Sequence, residues 1–155
     1  DEAFITRGST TVTMSMAGIT MSQEALDAFE KVQGRRSKCR WATFKLAKKA
    51  DDGVVVGEIH DEKEEFSYKQ FADTVEKNAP RFAAVLYEFD AADGSHKEKV
   101  VLLSYIPDDA PVKQKMLMGS SIEMFKKSLI GWHKYQQASD LADLEEKAIL
   151  KLCST

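Results

Sequence analysis

In the stretch IPDDAPVKQKMLMGSSIEMFKKSLI (106–130), Lys113, Met116, Ser120, Glu123 and Lys127 recur at spacings of 3, 4, 3 and 4 residues. That period places all five on one face of a helix. A lysine presents a point charge on a long stem, and a thioether packs adaptably into a shallow apolar cleft. Together they have the chemistry of docking onto an acidic protein surface, not of bond making. Periodicity alone is equally compatible with a solvated helix face, although a thioether is an odd group for such a face to carry. Residue types that make and break bonds are not arranged to do so. The chain contains no GxxxxGK[ST], GxGxxG or GxSxG. His60, His96 and His133 fall on separate elements, and none has a second ligand at i+3 or i+4. Glu64-Glu65 and Asp108-Asp109 fall in loops, where solvation and turn chemistry account for them. No catalytic residue, metal or cofactor is expected, and the chain is not expected to be an enzyme.

A docking face of this kind needs a helix held against a firm support. Pro107-Asp108-Asp109 forms the entry turn, and Pro111 opens the helix where its missing N–H costs nothing. Met118, Ile122, Phe125 and Leu129, at i, i+4, i+7 and i+11, make an apolar stripe suited to burial against a sheet. Gly119-Ser120-Ser121 lowers helix propensity in the middle and predicts a bend.

The remaining elements supply the sheet. Ser22 caps a helix that runs to about Gly34, with Ala25, Leu26, Ala28, Phe29 and Val32 on one side. Residues 39–47 alternate as a strand, 48–53 turn through Asp-Gly, and 54–60 return as its partner. An acidic loop follows. Ser67 then caps a helix through Lys77, with Phe71 and Val75 inward, and Pro80 stops it. Residues 81–89 and 99–106 are strongly apolar strands, 131–137 holds a short edge strand, and Asp140 caps a last helix with a Leu141, Leu144, Ala148, Leu152 stripe. The order α-ββ-α-ββ-α-β-α predicts an α/β fold of three layers, a central mixed five-stranded sheet with helices on both faces.

Composition sets the outer bounds. At 155 residues with 43% hydrophobic and 30% charged residues, residues 14–155 read as one soluble domain, expected to be monomeric. A formal charge of −3 excludes a nucleic-acid binder that works by neutralising phosphates over its whole surface, while leaving room for a local basic patch. Cys39 and Cys153 have neither metal-ligand nor redox spacing, which suits a reduced, cytosolic setting. No run approaches the ~20 apolar residues of a membrane span. Residues 1–13 lack apolar periodicity. They are read as an added non-native segment, a native N-terminal extension or an upstream-translated stretch, disordered by default, and left out of the fold reasoning.

The motif PDDAPVKQKMLMGSS resembles the long helix of the actin-depolymerising factor/cofilin family, whose pattern there is roughly PD-x-APv-[KR]-x-KM-x-[YM]-[AG]-SS. The start MSMAGI (14–19) and the order of elements resemble that family too. The resemblance implies the ADF-homology, gelsolin-like fold. It also implies binding to actin monomers and filaments, promoting severing, depolymerisation and subunit turnover with no cofactor, in the cytoplasm and with nuclear entry open. In the family the long helix enters a cleft between two actin subdomains. Carried over by motif, Lys113, Lys115 and Met116 are contacts, Ser120 and Glu123 flank them, and Pro111 and Val112 are architectural. Ala17, Gly18 and Ile19 form the second contact. The family phosphorylates a Ser where this chain has Ala17, so that switch is expected to be absent, with Ser15, Thr20 or Ser22 as possible replacements. Lys97 and Lys99, with Glu145 and Lys147 from a loosely matched tail, correspond to a separate filament contact. Lys113, Lys115, Lys126 and Lys127 correspond to phosphoinositide contacts. Ile122 departs from the family's usual Lys. Within the same fold the alternative is a coactosin-like or glia-maturation-factor-like module, which binds filaments or the branch-nucleating complex without depolymerising.

Overall fold

In the computed structural model of the protein, the residues described are 2–7, 10–15, 18–34, 38–48, 53–61 and 67–154, with side chains from Met14 onward. Helix α1 (Gln23–Gln33) begins where the Ser22 hydroxyl accepts the Ala25 N–H at 3.1 Å, and it buries Ala25, Ala28, Phe29 and Val32. Strands β3 (Cys39–Leu46) and β4 (Val54–Asp61) follow, then α2 (Tyr68–Thr74), β5 (Arg81–Asp90) and β6 (His96–Tyr105). The long helical stretch comes as α3 (Val112–Ser120) and α4 (Ile122–Ser128), ahead of β7 (Lys134–Ala138), a 3-10 turn (Leu141–Leu144) and α5 (Glu146–Cys153). Upstream, β1 (Glu2–Arg7) and β2 (Thr10–Ser15) pair antiparallel in the segment expected to lack regular structure. The β-branched run Thr10-Thr11-Val12-Thr13 favours that conformation.

The main sheet has the order β4-β3-β5-β6-β7, antiparallel except for the parallel β6–β7 pair, so it is mixed and five-stranded as expected. A register shift between Ala42 and Phe44 marks a bulge opposite Gly57. A Cβ at Gly57 would lie 2.6 Å from the Thr43 hydroxyl, which accepts the Glu58 N–H at 2.9 Å, so the bulge needs glycine there.

Alternate residues of each strand feed two cores. On one face Phe44, Phe82, Ala84 and Leu102 pack with Phe29, Met118, Met124 and Phe125, and the Phe82 and Phe125 rings stack at 4.4 Å. On the other, Trp41, Val85, Tyr87 and Leu103 pack with Phe71, Ile149 and Cys153. The layers are thus α1, α3 and α4, then the sheet, then α2 and α5.

Strand β6 starts at His96, three residues earlier than expected, β7 starts three residues later, and two helices differ from the sequence reading. Helix α2 stops at Thr74, whose hydroxyl donates to the Phe71 carbonyl at 2.7 Å while Val75 turns extended. The last helix is broken: Glu145 is extended, and the Leu144 carbonyl accepts the Tyr68 hydroxyl at 2.6 Å instead of continuing a helix. The expected bend in the long helix falls at Ser121, fully buried, with its hydroxyl donating to the Leu117 carbonyl at 2.6 Å.

Candidate functional site

The turn at 107–110 closes through the Ala110 N–H to the Pro107 carbonyl, and the first helical bond runs from the Lys115 N–H to the Pro111 carbonyl. From there α3 and α4 are seated by Met118, Met124, Phe125 and Leu129, each 2% exposed or less, with Ile122 half-buried beside them. This is the expected stripe, and it fixes the face that remains outside. On that face Lys113, Ser120, Glu123 and Lys127 are exposed, and Met116 is 69% exposed. Val112, read from sequence as architectural, is 73% exposed. It stands four residues before Met116, so the two form an apolar pair on one helix face. That i, i+4 spacing was the signal available in the sequence.

The lysines do not share one face. Lys115 lies roughly 160° around the helix from Lys113, is half-buried, and donates from Nζ to the Asp108 carbonyl at 2.8 Å. Lys126 lies roughly 140° from Lys113. Its ammonium is 3.6 Å from the Glu123 carboxylate and 4.6 Å from the centre of the Tyr135 ring. The four residues grouped for phosphoinositide contact therefore divide into Lys113 and Lys127 outside, and Lys115 and Lys126 on the flanks with internal partners.

The N-terminal contact also divides. Gly18 is exposed with φ +78°, whereas Ile19 is 4% exposed and belongs to the core. Ile19 is thus corrected from a surface contact to a packing residue. Its N–H donates to the Ser15 hydroxyl at 3.1 Å and its carbonyl accepts the Ser15 N–H at 2.9 Å. Ser15 is buried in this turn, which removes it as an accessible phosphate acceptor. The Ser22 hydroxyl is engaged in capping α1. Ala17 lies outside the described residues.

At the far end of the sheet, Lys97 is exposed. Lys99 is turned inward: its Nζ donates to the Cys153 carbonyl at 2.9 Å and sits 6.0 Å from the centre of the Phe89 ring. Lys147 pairs with Glu145 at 3.4 Å. The two thiols, Cys39 and Cys153, form no disulfide and are buried, and burial pushes both above the usual thiol range. They are poor nucleophiles as a result. Among the described residues no group of three or more His, Cys, Asp or Glu side chains could hold a metal ion. The arrangement suits docking: a rigid helix with an apolar pair and two exposed lysines, Lys113 and Lys127.

Residues 18–154 match the family model of cofilin/tropomyosin-type actin-binding proteins. The chain belongs to this family. It is similar to actophorin of Acanthamoeba castellanii, 31% identical over 86% of this chain and 94% of that protein. It is likewise similar to actin-depolymerizing factor 4 of Oryza sativa subsp. japonica, 30% identical over 87% of this chain and 94% of the relative. Among solved structures, Plasmodium berghei actin depolymerization factor 2 superposes with a TM-score of 0.77 at 17% identity, covering 89% of this chain and 98% of the other, a likeness of fold. Human coactosin-like protein gives a TM-score of 0.70 at 25% identity over 87% and 98%. β1 and β2 both precede the stretch matched to the cofilin-type family. Among the described residues no helix is long and apolar enough to cross a membrane.

Proposed function

We propose that this protein binds actin monomers and filaments through the outer face of α3, and that it promotes severing, depolymerisation and subunit turnover by binding alone, with no catalytic step and no cofactor. The observation that carries this reading is the Val112–Met116 pair beside Lys113 on a helix whose opposite side is fully packed. Two large apolar side chains left in water on a rigid element gain by entering a partner's cleft, and pre-organisation keeps the ordering cost low. Lys113 then meets an acidic rim. Lys115 joins it once its bond to the Asp108 carbonyl is exchanged for a carboxylate, a swap of hydrogen bonds with small net cost. Gly18 lies at the second contact. Lys113 and Lys127 are the lysines on this face for an anionic phosphoinositide headgroup, which would compete with actin there. The working form is a cytoplasmic monomer whose binding domain is 14–155.

Pelleting with actin filaments tests the proposal. The expected result is a rise in actin left in the supernatant, lost in Met116→Ala combined with Lys113→Ala. Unchanged actin binding in that folded variant would refute the assignment to α3. A second reading, a coactosin-like module that binds filaments without depolymerising them, is favoured by one observation: the likeness in fold and sequence to human coactosin-like protein. Co-pelleting without a rise in soluble actin selects that reading.

A further inference from the structure

At the end of the sheet beside α3, a cavity of about 190 Å³ is lined by Lys45, Leu46, Pro80, Arg81, Gln114 and Met118. Its polar side chains come from three elements, β3, β5 and α3, and none is a carboxylate. Lys45 follows Phe44 and Arg81 precedes Phe82, the last pair in the register of two adjacent antiparallel strands, which brings two cations to the same end of the β3–β5 ladder. Like charges so placed repel. Among the described residues neither has a carboxylate within ion-pairing distance. Glu58 and Glu76 line a neighbouring cleft that shares the same two cations, without pairing to them. The Arg81 guanidinium is steadied instead by donating to the Pro80 carbonyl at 2.8 Å, and it is half-buried. Gln114 is exposed on α3 and adds amide N–H donors from the third side.

From this convergence we infer that the cavity is a site for a tetrahedral oxyanion, a phosphate or the phosphoryl group of a small soluble phosphate ester. The ligand neutralises the Lys45–Arg81 repulsion and accepts charge-assisted hydrogen bonds from both, with Gln114 closing the ring. An anionic membrane surface suits the place less well, because the donors converge on a cavity of about 190 Å³, which a small ion can enter and a flat surface cannot. Occupancy ties the helix that carries Val112 and Met116 to the sheet end, but the site does not depend on what that face binds.

The test is titration of the full chain with inorganic phosphate, read by amide and side-chain NMR shifts. A parallel arm sediments the protein with phosphatidylcholine vesicles with and without a phosphoinositide. Saturable shifts centred on Lys45, Arg81 and Gln114, weakened at least tenfold by Arg81→Gln, with no added sedimentation, are expected. Gln114→Glu sits on an exposed helix position, leaves folding unaffected, and should abolish saturation by placing a carboxylate among the donors. Shifts that stay linear in phosphate, or that persist in both variants, overturn the inference. Arg81-dependent sedimentation without saturable phosphate binding also overturns it, in favour of a lipid surface.

Discussion

The outer face of α3 and the opposite end of the molecule, where Lys99 and α5 meet, carry similar residues in different states. On α3, Met116 and Val112 are 69% and 73% exposed, and Lys113 projects into water. At the other end the Lys99 ammonium caps the C-terminus of α5 through the Cys153 carbonyl, and Lys147 is paired with Glu145. A partner docking on α3 meets groups whose apolar surface and charge are available at once. A partner docking near α5 must first displace internal bonds, each replaced by a new one at little net gain. The first surface is suited to supply affinity, the second to fix register or specificity.

Removing the support beneath α3 should have the largest effect. Phe125 is fully buried and stacked on Phe82, and Phe125→Ala should cost about 4 kcal/mol in urea-monitored unfolding. A loss below about 1 kcal/mol would mean that α4 is not the anchor of the docking face. Next comes the face itself. Val112→Ala with Met116→Ala should weaken monomeric-actin binding about a hundredfold, as expected for a central apolar anchor. Unfolding free energy should stay within about 0.5 kcal/mol of the parent, since both side chains are exposed.

The contrast reverses at Lys99. Lys99→Met should lower stability by about 1 kcal/mol through the lost bond to Cys153, with monomer affinity unchanged by calorimetric titration. If affinity falls and stability does not, Lys99 is a contact and the contrast fails. Smallest is Lys147→Ala. This exposed pair should be worth less than about 0.5 kcal/mol, and thermal unfolding should not resolve the change.

Much of this molecule was legible along the chain. The stripe Met118, Ile122, Phe125, Leu129, the bend at Ser121, the Ser22 cap and the order of strands are local matters. A helix or strand reports its buried side in its own period, and a cap or bend needs only neighbouring residues. The mixed five-stranded sheet with helices on both faces followed from that order. The outward placement of Met116 followed from the same period that buried Met118.

What the chain alone left open was which surface groups are available, because that depends on residues far apart in sequence. Lys99 is engaged by a carbonyl 54 residues away, and the last helix is interrupted because the Tyr68 hydroxyl takes the Leu144 carbonyl 76 residues on. Ile19 is core and not contact because the turn closed by Ser15 folds it under the surface. Lys115 and Lys126 face away from Lys113, and their partners are a turn carbonyl and a ring on β7. Sequence determines which side of each element prefers water, since that preference is local. Tertiary structure alone decides which charged groups on that side are already bonded, since those bonds exist only after distant segments have come together.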